Sequence, residues 1–313
     1  MSLLNTPVLF LVFNRLDTTQ KVFFEIRKAH PKKLYLAADG PRNIEEKLKT
    51  DAVREFILNN IDWDCEVKTL FRKKNLGCGK AVSSAISWFF KNEKRGIILE
   101  DDCLPDPTFF TFCQELLEKY KDNAQIMHIS GDNYQYNGGV KVKESYFFSK
   151  YPHIWGWATW RRAWKKHDFK MKNWTKIKKS KQKNYLFDDK EQELSFSEWF
   201  DNLSKNPYST WDVQWVFSIW YNKGLCVYPN KNLVKNIGFG VDSTHTSSTP
   251  NFVKGIPLES INKIIHPKVI VRNFIADKFD FKKCFYVPFY KRVFFKNKFL
   301  VQFYRKIKLI LKL

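Results

Sequence analysis

A chain of 313 residues and 37.4 kDa with 44% hydrophobic and 17% aromatic content can bury a full core, which excludes a disordered polypeptide. Its 54 Lys+Arg against 32 Asp+Glu leave a formal charge of +22, favouring polyanionic partners: nucleic acid, an anionic membrane surface or phosphorylated substrates. The six cysteines (Cys65, Cys78, Cys103, Cys113, Cys226, Cys284) form no CxxC pair, which argues against a disulfide framework or zinc site and fits a reducing cytoplasm.

Met1 to Phe13 lacks a basic lead-in and a small-residue cleavage pattern, and polar Asn14-Arg15 ends it, so it reads as a first buried strand and not a signal peptide. No stretch reaches the ~18–20 apolar residues of a membrane-spanning helix, so a soluble catalytic body is expected. From Pro7 to Leu104 short apolar strands alternate with amphipathic helices. Val8 to Phe13, a helix from Thr18 to Ala29, and Leu34 to Ala38 open the series. A helix from Glu45 to Asn59, a strand from Cys65 to Phe71, a helix from Gly79 to Lys91 and the run Gly96 to Leu99 continue it. This βαβ pattern predicts an α/β fold with a mostly parallel central sheet flanked by helices. A helix from Thr108 to Tyr120 and a strand from Ile126 to Ser130 follow, then a half in which mixed sheet and long loops are expected. Lys172 to Lys183 reads as a solvated loop or helix face. Lys278 to Leu313 interleaves Lys and Arg with Phe, Tyr, Leu and Ile and reads as a basic amphipathic helical appendage at a membrane interface, or as a solvated helix completing the fold. The expected division is residues 1–275 as the main domain (1–104 and 105–275 as its halves) and 276–313 as the tail.

Ligands of open α/β sheets bind beyond the carboxyl ends of the strands. Three polar clusters fall at such ends: Asn14-Arg15, Asp39-Gly40-Pro41-Arg42 and Glu100-Asp101-Asp102. Three consecutive acids raise one another's pKa unless a cation sits among them. A divalent Mg²⁺ or Mn²⁺, taking carboxylate oxygens and keeping positions open for phosphate, removes that cost; a solvated strand end or a cap for the helix at Thr108 is the plainer alternative. Asp39 before Gly-Pro is by itself a turn signal. Asn75 to Lys80 precedes a helix and offers backbone N–H groups and the Lys80 ammonium to a diphosphate, although its glycine spacing is not that of a P-loop.

The segments PVLFLVFNR (7–15), ADGPR (38–42), NLGCGKAVSSAISWFF (75–90) and IILEDDCLPDPTFF (97–110) resemble bacterial glycosyltransferases related to family 2. They are also similar to the eukaryotic N-acetylglucosaminyltransferase that starts complex N-glycan branches, with its GT-A nucleotide-diphospho-sugar fold. Farther on, YPHIWGWATWRRAW (151–164), Trp211-Asp212 and Gly238-Phe239-Gly240 with His245 resemble shorter family segments. The resemblance spans Pro7 to Thr246. It implies a metal-dependent, inverting transfer of a sugar from a nucleoside-diphosphate donor, with uridine as the expected base. It places Asp102 on the metal, Arg15 and Asp39 on the base or ribose, Glu100 and Asp101 on the sugar and ribose side, His245 over the donor, and Asp212 as the base that deprotonates the acceptor; Gly79 and Lys80 are expected near the nucleotide. The expected acceptor is a glycan or glycolipid of bacterial surface polysaccharide or lipopolysaccharide, met at the inner face of the plasma membrane through the basic tail. Three other readings stand beside it: a nucleic-acid binder, for which no helix-turn-helix, RNP or zinc-finger pattern is present; a metal-dependent phosphohydrolase, which lacks a second acidic strand end; and a silent carbohydrate-binding relative. Trp155, Trp157, Trp160 and Trp164 fit core packing as well as sugar stacking, and His128 and His153 carry no motif.

Overall fold

The computed structural model describes residues 4–239, 250–286 and 288. Strand and helix alternate through the first half: β1 (Val8–Val12), α1 (Leu16–Ala29), β2 (Lys33–Ala38), α2 (Ile44–Asn59), β3 (Glu66–Phe71), α3 (Cys78–Asn92) and β4 (Arg95–Glu100). A short β5 (Cys103–Pro105) leads to α4 (Thr108–Lys119) and β6 (Ile126–Ser130). Then come β7 (Tyr146–Ser149), β8 (Trp157–Trp160), α5 (Arg161–Trp164), α6 (Lys172–Ile177), α7 (Lys190–Lys205), α8 (Asp212–Tyr221), β9 (Leu225–Pro229), β10 (Val234–Asn236) and α9 (Phe274–Asp280).

Eight strands form one sheet in the order β3-β2-β1-β4-β8-β6-β9-β7. The first four are parallel; β8 runs against β4 and β6, and β7 against β9, while β6 and β9 are parallel to each other. The fold is α/β, a mostly parallel central sheet flanked by helices. Period-two alternation along the strands decides which helix covers which face. Val8, Phe10 and Val12 join Leu34, Leu36, Ile97 and Leu99 on one face, under Val22, Phe23 and Ile26 of α1, Val53 and Ile57 of α2, and Phe112 and Leu116 of α4. Leu9, Leu11, Tyr35, Ala37 and Ile98 turn to the other face, under Ala85, Ile86 and Phe89 of α3 and Trp215 and Ile219 of α8. Burial on both faces is why the strands read as unbroken apolar runs. Capping sets a helix start where the sequence supplies one: the Asn43 side chain accepts from Glu46 N at 2.8 Å and opens α2.

The basic stretch after Lys172 is a solvated helix face whose other side is core: Lys172 and Lys176 are exposed while Trp174 and Ile177 of α6 are buried. Residues 274–285, where the basic C-terminal segment begins, pack into the body at the β7 edge. Asp277 accepts from Ser149 Oγ at 2.5 Å, and Asp280 accepts from Gln135 Nε2 at 2.5 Å and pairs with His153 Nε2 at 3.1 Å. One π-helical turn, Phe281–Phe285, ends this packing, with Phe285 stacked on Tyr151. The remainder of the expected appendage lies outside the described residues. No described helix is long and apolar enough to cross a membrane.

Candidate active site

Strands β1 to β4 end along one edge of the sheet, and the residues that follow them converge on one cleft of about 350 Å³. Asn14 and Arg15 come from β1, Asp39 and Arg42 from β2, Arg72 from β3, and Glu100, Asp101 and Asp102 from β4. The opposite wall is Asn75, Gly77 and Cys78 at the start of α3, and Thr210, Trp211 and Asp212 at the start of α8. Trp155, Asn236, Gly238 and Phe239 complete it.

Among the three acids the compensating cation present is Arg15. Its Nη2 lies 2.5 Å from Asp101 Oδ1 and 2.9 Å from Asp102 Oδ2, so the arginine expected on a base or ribose lines the cleft while paired with the carboxylates. Burial works against the Arg15 charge, but Asp101 and Asp102 more than offset it and hold its pKa above the ordinary arginine value. Asp101 is fixed further by Phe13 N, which donates to its Oδ2 at 3.1 Å. One guanidinium cannot neutralise three carboxylates. Burial, then the charges of Asp102, Asp101 and Asp212, push the Glu100 carboxyl up to about 8; burial raises Asp101 to about 6 against the pull of Arg15.

Asp39 staples two loops together. Its carboxylate accepts from Gly40 N at 2.9 Å, from Leu76 N at 3.0 Å and from Gly77 N at 3.1 Å. Two N–H groups expected to face a diphosphate are thereby taken by Asp39. Lys80 is exposed and does not line the cleft, because the helix start turns it outward; Asn75, Gly77 and Cys78 do line it. Gly79 has a packing role. A Cβ there would lie 2.4 Å from the Tyr208 carbonyl oxygen and 2.6 Å from that of Thr210, so its bareness lets α3 press against the loop that delivers Asp212.

Asp212 begins α8. Its Oδ1 accepts from Thr210 Oγ1 and from Val213 N at 2.9 Å, while no described residue donates to Oδ2. The carboxylate is oriented by one oxygen and open at the other. Of the four tryptophans left between core and sugar, Trp157, Trp160 and Trp164 are buried and Trp155 lines the cleft. Gly238 lies against the acids: a Cβ would be 2.2 Å from Asp102 Oδ2, and Asn236, paired with Cys103, holds the Gly238 N–H at 2.8 Å. His245 lies outside the described residues. Sequence reasoning missed Arg72, whose Nη2 donates to Ser84 Oγ at 2.7 Å and which joins Arg15 and Arg42 as a third guanidinium lining the cleft. The available signal was its place directly after β3, at the same sheet edge as the three clusters.

A cage made by the protein alone does not fit a metal here, since among the described residues no three His, Cys, Asp or Glu side chains converge to hold one. A divalent ion that draws most of its shell from phosphate and water does fit the oxygens present. Asp102 Oδ1 receives only the weak Cys103 thiol at 3.4 Å, and Glu100 beside it faces the same cleft.

No family model matches the chain, and no curated protein sequence matches it. Among solved structures, the mannosyltransferase PcManGT from Pyrobaculum calidifontis in complex with GDP-Man and Mn²⁺ is similar over 50% of this chain and 45% of its own, at 12% identity and TM-score 0.37. HddC from Yersinia pseudotuberculosis, solved also in complex with GMP-PN, is similar over 50% of this chain and 77% of its own, at 11% identity and TM-score 0.32. The chain thus spans less than half the length of the mannosyltransferase it matches.

Proposed function

We propose that the protein is a metal-dependent, inverting glycosyltransferase that moves a sugar from a nucleoside-diphosphate donor, with uridine as the base, to a glycan or glycolipid hydroxyl in bacterial surface polysaccharide or lipopolysaccharide synthesis. The observation that carries this reading is the opposition, across one cleft at the carboxyl ends of parallel strands, of the Glu100-Asp101-Asp102 wall and the half-open carboxylate of Asp212.

Asp102 and Glu100 would hold a divalent ion, which when bound supplies Lewis-acid neutralisation of the departing diphosphate. Arg15 and Arg72 add fixed positive charge near the same phosphates, and Arg15 holds Asp101 and Asp102 in place. Gly238, bare of a side chain, lets its own backbone pack against Asp102 and Arg15 and so closes that side of the acids. Trp155 and Phe239, 5.5 Å apart edge to face, offer an apolar platform for a sugar face. Asp212, aligned through Oδ1, takes the acceptor hydroxyl proton on Oδ2 as the oxygen attacks the anomeric carbon from the side opposite the leaving diphosphate. Asp39 enters as the staple that shapes the nucleotide end, and His245 as a donor contact. The basic C-terminal segment brings the enzyme to an anionic membrane where a lipid-linked acceptor is met.

Isothermal titration with UDP and other nucleoside diphosphates, with and without Mn²⁺, beside Asp102→Ala and Asp212→Asn, tests this. Wild type binds one nucleotide in the presence of Mn²⁺, Asp102→Ala loses that binding, and Asp212→Asn keeps it while turnover falls on the order of 10²–10⁴-fold. Absence of nucleotide binding in wild type sinks the proposal.

A further inference from the structure

From Ser260 to the C-terminus the sequence carries two acids, Asp277 and Asp280. Both are buried, at 2% and 1% exposure, and both are hydrogen-bonded into the body. The helix α9 is therefore inverted: its acids face inward, while Phe274 (62% exposed), Ile275 (76%) and Lys278 face solvent, followed by exposed Lys282.

The stretch before α9 extends this surface. Ser145 N donates to Ile265 O and Asn273 N to Phe148 O, each at 2.8 Å, so residues 266–272 are pinned at both ends to the β7 edge. The anchor points are three residues, or roughly 10 Å, apart along the strand, so the seven residues between them have slack: His266 hydrogen-bonds to Tyr146 Oη and Ile270 packs on the core while the residues between them turn outward. Ile265, Val269 and Val271 stand exposed on this loop, beside exposed Lys263 and Lys268. Contiguous exposed apolar side chains at one edge mark an interaction surface. Its own exposed charges are lysines; the acids of neighbouring elements that reach it, Glu115 and Asp188, are paired with His266 and Arg272, no acid from Ser260 onward faces out, and the sequence beyond 288 carries eight Lys and Arg and no acid.

We propose that this face of the body, from Lys263 to Lys282, docks on an anionic membrane surface. Phe274, Ile275, Val269 and Val271 enter the headgroup region, and the lysines meet lipid phosphates. A second copy of the chain fits less well, because a two-fold contact sets this patch against itself and brings lysine to lysine. Nucleic acid offers phosphates but gives the aliphatic side chains nothing to bury against. This inference stands on the 263–282 surface alone and survives if the reading of the cleft fails.

The test is co-sedimentation of the full chain with phosphatidylcholine vesicles, with and without about one part in three phosphatidylglycerol. Two full-chain variants accompany it, Phe274→Ser/Ile275→Ser and Lys278→Glu/Lys282→Glu. All four positions are solvent-exposed, and an unchanged urea midpoint confirms folding. Wild type binds the anionic vesicles in a salt-sensitive way, and each double variant binds them roughly tenfold more weakly. Wild-type affinity in both variants overturns the proposal and leaves any membrane contact to the segment beyond 288. Equal binding to neutral vesicles overturns it too, as does a dimer abolished by Phe274→Ser/Ile275→Ser in a protein that ignores vesicles.

Discussion

Arg15 sits where a bound cation and the protein's own cation must share the same carboxylates. It lies against Asp101 and Asp102 with its side chain 18% exposed, so its removal leaves two part-buried negative charges next to Glu100. Breaking such a pair from one side costs about 3 kcal/mol. Arg15→Met is therefore expected to lower thermal stability, and Mn²⁺ to restore part of it by replacing the lost charge. The check is a melt of both proteins with and without Mn²⁺: the ion should raise Tm more in Arg15→Met than in wild type. An equal or smaller rise in the variant would mean that the ion does not take over the charge Arg15 supplies to these carboxylates.

Asp132, two residues past the end of β6, is a second anomaly at the residue scale. It is fully buried, neither oxygen accepts a well-formed hydrogen bond, and burial pushes its carboxyl up to about 6 although His153 favours the ionised form. A folded-state value above the unfolded 3.8 means that the folded protein binds the proton more tightly, so stability is lost as pH rises between those values. The loss amounts to about 3 kcal/mol. Urea unfolding at pH 4 and pH 7 should show Asp132→Asn gaining on wild type by that order between the two pH values. A constant difference would assign Asp132 an ordinary carboxylate environment.

At the level of elements, the first half was legible because β1, β2 and β4 are buried on two faces and each helix on one, while the edge strand β3 is only part-buried. The three polar clusters were legible because they follow apolar runs. What they touch was not. Asp39 meets Leu76 and Gly77 N–H groups 37 and 38 positions away, and Arg15 meets Asp101 across 86, through sheet order that local periodicity does not encode. The pairing of β5 with β10, which lays Gly238 on Asp102, joins segments of three residues each, too short to show a period. In α9 the usual rule is reversed: Asp277 and Asp280 are inside because Arg272, Ser149, Gln135 and His153 receive them there, so polarity alone pointed outward.

At the scale of the whole molecule, a formal charge of +22 favours non-specific contact with polyanions, so stabilisation by one of them does not by itself identify the ligand. Ionic strength separates the possibilities. A nucleoside diphosphate in the cleft would touch loops after β1, β2 and β4 and the starts of α3 and α8, closing contacts that unfolding must break. At a hundredfold excess over Kd such a ligand adds about 2.7 kcal/mol. For a chain of this size that corresponds to a Tm rise of about 4 °C. Charges inside a cleft are screened little, whereas surface contacts to heparin or DNA fade once the Debye length falls to about 3 Å near 1 M salt. Melts with UDP plus Mn²⁺ and with heparin, each at low and high salt, should therefore diverge: the nucleotide shift persists and disappears in Asp102→Ala, while the heparin shift vanishes with salt and ignores that substitution. If both shifts collapse together at high salt, the cleft is acting as one more patch of a basic surface, and polyanion binding becomes the better account of the protein.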